Sequence, residues 1–183
     1  MSKQEFEAVL NAKADAAKQQ PQTPIDWNAR RDKWLSSLVK FYEQLDSWLL
    51  EYVKAGKIKV EKSKIEIEEE HVGRYTVEVR VLNIGGEQVV FRPIGTLLIG
   101  AHGRVDMEGP KGVVKFILTG KNSNGVRISV TVRGEGEKPS ALTPPPEQVD
   151  ELVWKIATPP PKVKFIELDS DSFFDSITEV LNA

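Results

Sequence analysis

The chain has 183 residues, 40% of them hydrophobic and 28% charged, with a net charge of −2 and no cysteine. A chain of this length can bury a core without a metal or disulfide staple, and the absence of cysteine excludes disulfide frameworks, thiolate zinc sites, iron–sulfur ligation and thiol catalysis. No apolar run reaches the ~20 residues of a membrane helix, and the opening Met1-Ser2-Lys3-Gln4-Glu5-Phe6-Glu7 is not a secretory signal, so a cytoplasmic chain with no membrane partner is expected.

The charge is segregated. Residues 1–56 hold eight basic and eight acidic side chains, residues 57–134 thirteen and nine, and residues 135–183 four and ten. A mildly basic middle followed by an acidic tail fits an internal match or a face for an anionic partner. It lacks the clustered basic stripe of a dedicated nucleic-acid binder.

Residues 2–19 have helical signals. Ser2 and Glu5 have capping-box spacing, and Phe6, Val9 and Leu10 form a thin apolar stripe. Gln19 to Pro24, with two prolines, is a linker. The expected organisation is therefore an N-terminal helix and linker over 1–24 and a single α+β domain over 25–183.

The strongest pattern follows. Asp26 is a plausible N-cap, Trp27, Trp34, Phe41 and Trp48 recur every seventh residue, and Gly56 is the expected stop. Leu38, Leu45 and Tyr52 fall four residues after the last three of these rings, and Leu35, Tyr42 and Leu49 widen the face. Such a row would leave more apolar surface wet than monomers tolerate, so the spacing predicts a helix lying on the chain's own sheet.

From Lys57 the period changes to two. Ile58 and Val60 alternate with charges, and Ile65 and Ile67 do so in opposite parity, which predicts a turn or bulge near Lys62-Ser63-Lys64. In the next segment Tyr75, Val77, Val79 and Val81 share one face, with Thr76, Glu78 and Arg80 on the wet one. Asn83 to Gly86 reads as a turn. Strand-like runs follow at Val89–Ile94, Thr96–Ala101, Arg104–Met107 and Val113–Thr119, and Asn122 to Gly125 marks a hairpin before a strand over Val126 to Val132.

After a loop from Glu135 to Pro146, Val153–Ile156 and Val163–Leu168 read as strands. The proline triplets at 144–146 and 159–161 suggest polyproline II, and Ser170 is placed to cap a terminal helix bearing Phe173, Phe174, Ile177, Val180 and Leu181. The expected fold is α+β: a long N-terminal helix on a mostly antiparallel meander sheet of seven or eight strands, with scope for strong curvature, and a short C-terminal helix.

Chemistry-bearing residues are few. The two histidines are His71 and His102. If Gly103–Glu108 is a strand, His102, Arg104, Asp106 and Glu108 share a face, and His102, Arg104 and Asp106 could bind an anion or orient a general base. The bland alternative is a solvated strand face. Glu68-Glu69-Glu70-His71 lacks metal-site spacing. No phosphate loop, dinucleotide fingerprint or nucleophile elbow is present, so no cofactor or metal is expected. The leading expectation is a non-enzymatic protein-interaction or assembly module, with a protein partner or homo-oligomer. The alternatives are a small-ligand-binding domain or enzyme with a cupped sheet and an anion site at His102/Arg104/Asp106, and a weak nucleic-acid binder.

Overall fold

The computed structural model describes residue 7 and residues 25–96, 101–124 and 151–182. The expected N-terminal helix (Glu7 apart, which is helical) and linker, all but the two ends of the run Thr96–Ala101, the strand over Val126 to Val132, the loop to Pro146 and the first proline triplet lie outside these residues.

Helix α1 spans Trp27–Lys54. The Asp26 carboxylate accepts from the Ala29 amide at 2.9 Å and so satisfies one orphan donor of the first turn. At the other end Gly56 takes φ +70°. Its amide donates to Val53 O at 3.0 Å and the Lys57 amide to Tyr52 O at 2.9 Å, the paired bonds of a Schellman stop. The buried side chains of α1 include Trp34, Leu38, Phe41, Tyr42, Leu45 and Leu49, the face that the seven-residue spacing marks.

Among the described residues seven strands follow: β1 (Ile58–Glu69), β2 (Gly73–Ile84), β3 (Glu87–Gly95), β4 (Gly103–Gly109), β5 (Gly112–Gly120), β6 (Leu152–Ala157) and β7 (Phe165–Glu167). They pair antiparallel in chain order, so the sheet is an open meander with β1 and β7 at its edges. Gly85 and Gly86, both with positive φ, make the two-residue hairpin between β2 and β3. Helix α2 (Ser170–Asn182) closes the chain and sends Phe173 and Val180 into the same core. Its cap is Asp169, not Ser170. The Asp169 carboxylate accepts from Ser172 N at 2.8 Å while Ser172 Oγ accepts from Asp169 N at 2.9 Å, a reciprocal cap that also holds the Asp169 carboxyl below its ordinary pKa.

One sequence expectation fails instructively. β1 has no turn or bulge at Lys62–Lys64: Ile58↔Ile84 through Glu69↔Gly73 run in one unbroken register. Yet the parity of the apolar residues does switch, from Ile58, Val60, Leu82 and Ile84 to Ile65, Ile67, Tyr75 and Val77, and all eight belong to the core or pack on it. The switch coincides with the end of the β3 ladder, whose last pair with β2 is Arg80↔Phe91. Beyond that point β1 and β2 form a two-stranded ribbon, which twists more than a wide sheet. We attribute the change of buried face to that twist.

Arg80, expected on a wet face, sits at this crossover and is only 7% exposed. Its guanidinium lies 4.2 Å over the Tyr42 ring, donates to Tyr42 O at 3.1 Å, and pairs with Glu78 at 2.7 Å and with Asp46. Burial beside this network lifts the Tyr42 hydroxyl far above its ordinary pKa.

Pro93 lies inside β3, beyond the last β2 pair, where that edge has no ladder for a missing amide to break. The second triplet lies in the bend that turns β6 into β7 and includes a cis Pro160–Pro161 bond.

The face packed against α1 is aromatic. Phe41 lies 4.5 Å from Trp154 and 5.3 Å from Phe116 in tilted contacts, and Trp34 lies 5.8 Å from Trp154, centroid to centroid. On the opposite side of α1, Val39 is 57% exposed. Trp34→Ala and Phe41→Ala should each cost about 3–5 kcal/mol, and Val39→Ala no more than about 0.5 kcal/mol, when denaturant midpoints are compared.

Candidate functional site

The segment before β4 is pinned from three sides. Arg30 of α1, itself buried, donates to Thr96 O at 2.8 Å and to Ala101 O at 3.4 Å. The His102 amide donates to Leu118 O at 2.7 Å. Gly103 lies under the six-membered ring of Trp34, and a methyl group there would overlap Cε3 and Cζ3 of that ring. The close approach that Gly103 allows is thus taken up by α1 itself.

So fixed, His102 is 8% exposed and lines a cavity of about 190 Å³ with Arg30, Lys33, Trp34, Leu118 and Leu152. Leu118 and Leu152 also line an adjoining cleft of about 330 Å³. The two make one trough between α1 and strands β5 and β6. Lys33, Ser37, Lys40 and Gln44 form its helical wall at four-, three- and four-residue spacing, one flank of α1. Leu118, Leu152, Trp154 and Leu168 form its apolar floor, and the Trp154 indole N–H is anchored on Ser37 O at 3.1 Å.

Among the described lining residues there is no carboxylate: the charges are Arg30, Lys33 and Lys40. Burial, with Arg30 and Lys33 adding their repulsion, lowers the His102 pKa from 6.5 to about 4. The imidazole is therefore neutral at pH 7.

The other expected site residues lie elsewhere. Arg104 and Asp106 are brought together on β4, Nε to Oδ1 at 2.7 Å and Nη2 to Oδ2 at 2.9 Å, and neither lines the trough. Glu108 pairs with Arg92 at 3.5 Å. His102 stands apart from all three because it precedes the strand and turns toward α1. The Glu68–His71 run is likewise divided. Glu68 pairs with Arg74 at 3.1 Å and His71 stacks on Trp27 at 5.2 Å. Glu69 turns inward, accepting from Thr96 N at 2.8 Å and from the Tyr75 hydroxyl. Burial, with that bond to Glu69, raises the Tyr75 pKa well beyond its ordinary range. Among the described residues no group of His, Asp and Glu is placed to hold a metal, and no helix is long and apolar enough to cross a membrane.

The buried imidazole makes stability depend on pH. Between about pH 4 and 6.5 the unfolded chain holds a proton on His102 that the folded chain does not. Its contribution is therefore intact above pH 6.5 and is lost as pH falls toward 4. The solvent still touching the imidazole screens part of this, leaving a difference on the order of 1–2 kcal/mol. His102→Gln should remove that component: wild type minus variant stability, from denaturant melts at pH 7 and pH 4.5, should shrink at the lower pH.

Comparison with protein-family models, with curated proteins and with solved structures finds no match to this chain.

Proposed function

We propose that the chain is a non-enzymatic interaction module that holds an extended acidic and apolar segment of a partner protein in the trough between α1 and β5–β6. The observation that carries this reading is the one-signed wall over an apolar floor: Lys33 and Lys40 along the helix, Leu118, Leu152, Trp154 and Leu168 beneath, and no carboxylate among the described lining residues. Alternate side chains of an extended segment could reach the floor while acidic ones meet the lysines, and complementary charge sets orientation and association rate. Two lysines in an apolar cleft are poorly matched to a phosphate backbone. The neutral His102 has no carboxylate beside it in the cavity to orient it as a base.

A photo-crosslinking side chain at Gln44, on the wall of the cleft, tests this in cells. The expected result is a discrete protein adduct, joined through an acidic segment, that disappears when Lys33→Glu and Lys40→Glu are combined. Adducts that survive this charge reversal, or none at all, would overturn the reading. An adduct between two copies of this chain through the trough would make the partner a second copy.

A further inference from the structure

We infer that the end of the trough at His102 is a binding site for a carboxylate carried on a short apolar stem. The inference deepens the trough reading by naming the group this end takes, and it can be tested without any partner protein.

Four observations converge. First, His102 lines the cavity, and among the described residues nothing hydrogen-bonds its imidazole. Its ring nitrogens are not among the buried atoms left without a partner, so they open onto the cavity and can meet a ligand there. Secondly, among the described residues the charged neighbours of that cavity are cations: α1 supplies Arg30 and Lys33, while β5 and β6 supply Leu118 and Leu152. This field disfavours a cationic ligand and favours an anion. Thirdly, Lys33 has no ion pair among the described residues and, being exposed, can reach a group at the cavity mouth with its ammonium. Fourthly, Trp34, Leu118 and Leu152 make the rest of the wall apolar.

The size and donor count select the ligand class. About 190 Å³ is room for the equivalent of roughly six waters, enough for a carboxylate and a short stem. One imidazole N–H and one ammonium can satisfy a monoanion, with Arg30 contributing field while its Nη2 stays on the Thr96 and Ala101 carbonyls. A phosphate dianion carries more acceptor oxygens than this donor set meets, and an apolar wall beside them would leave some unbonded.

The chain has only two histidines, so ring resonances give a clean readout. His71, half exposed against Trp27, is an internal control. Wild-type protein is titrated with sodium hexanoate, with hexanol and with inorganic phosphate. Hexanoate should shift the His102 ring signals saturably, with Kd on the order of a few millimolar for so small a ligand, and leave His71 in place. Hexanol and phosphate should do neither. Lys33→Gln, an exposed position that leaves the fold intact, should weaken hexanoate about fivefold, and His102→Phe about tenfold. The inference is overturned if hexanoate gives no saturable shift, if phosphate or hexanol shifts His102 equally, or if Lys33→Gln changes nothing. Loss of the hexanoate response with crosslinking at Gln44 intact would remove the subsite and leave the partner reading standing; the reverse pattern would do the opposite.

Discussion

The contact on which the rest depends is the indole of Trp34 lying on the bare backbone of Gly103. A long helix can settle deeply on a sheet only where the sheet yields space, and here it does so by omitting a side chain. That seat sets the Trp34 ring on β4, lets Phe41 wedge among Phe116, Trp154 and Phe91, and leaves the flank bearing Lys33 and Lys40 beside the trough. The same seat sets the position of the residue before it. His102 is held between the Trp34 contact and its own bond to Leu118 O, and so faces the trough rather than the solvated side of β4.

Much of this fold is legible in the residues. The seven-residue recurrence of Trp27, Trp34, Phe41 and Trp48 marks α1 and its buried face, because helical period and ring size leave few other ways to dry that surface. Asp26 and Gly56 mark its ends through requirements that are local: a side-chain acceptor and a positive φ. What sequence spacing misses is cumulative. The parity switch in β1 reads as a bulge because period-two reasoning treats a strand as flat. Accumulated twist beyond the β3 ladder can exchange the buried face without inserting a residue, and it carries Arg80 from the expected wet face into the interior.

The candidate site shows the same division. His102 draws attention as one of two histidines, but the company sequence gives it, Arg104 and Asp106, comes from strand alternation that begins one residue too late to include it. Arg104 and Asp106 spend their charges on each other. The residues that do meet His102, namely Arg30 and Lys33, lie some 70 positions earlier in the chain, and no local pattern announces that meeting. The one available signal is the four-three-four spacing of Lys33, Ser37, Lys40 and Gln44 beside the aromatic stripe, which reads as an ordinary polar flank until a sheet is laid against it.

Because the trough exists only if α1 sits as deeply as it does, the seat of Trp34 on Gly103 is the point to measure. A double-mutant cycle combines Gly103→Ala with Trp34→Leu and compares unfolding free energies. With the ring on the glycine, the added methyl should destabilise the native chain by about 1–3 kcal/mol and cost much less once the ring is gone, a coupling of at least about 1 kcal/mol. Costs that add within about 0.5 kcal/mol would mean that the two residues do not touch, and would contradict both the depth of the helix and the placement of His102 that follows from it.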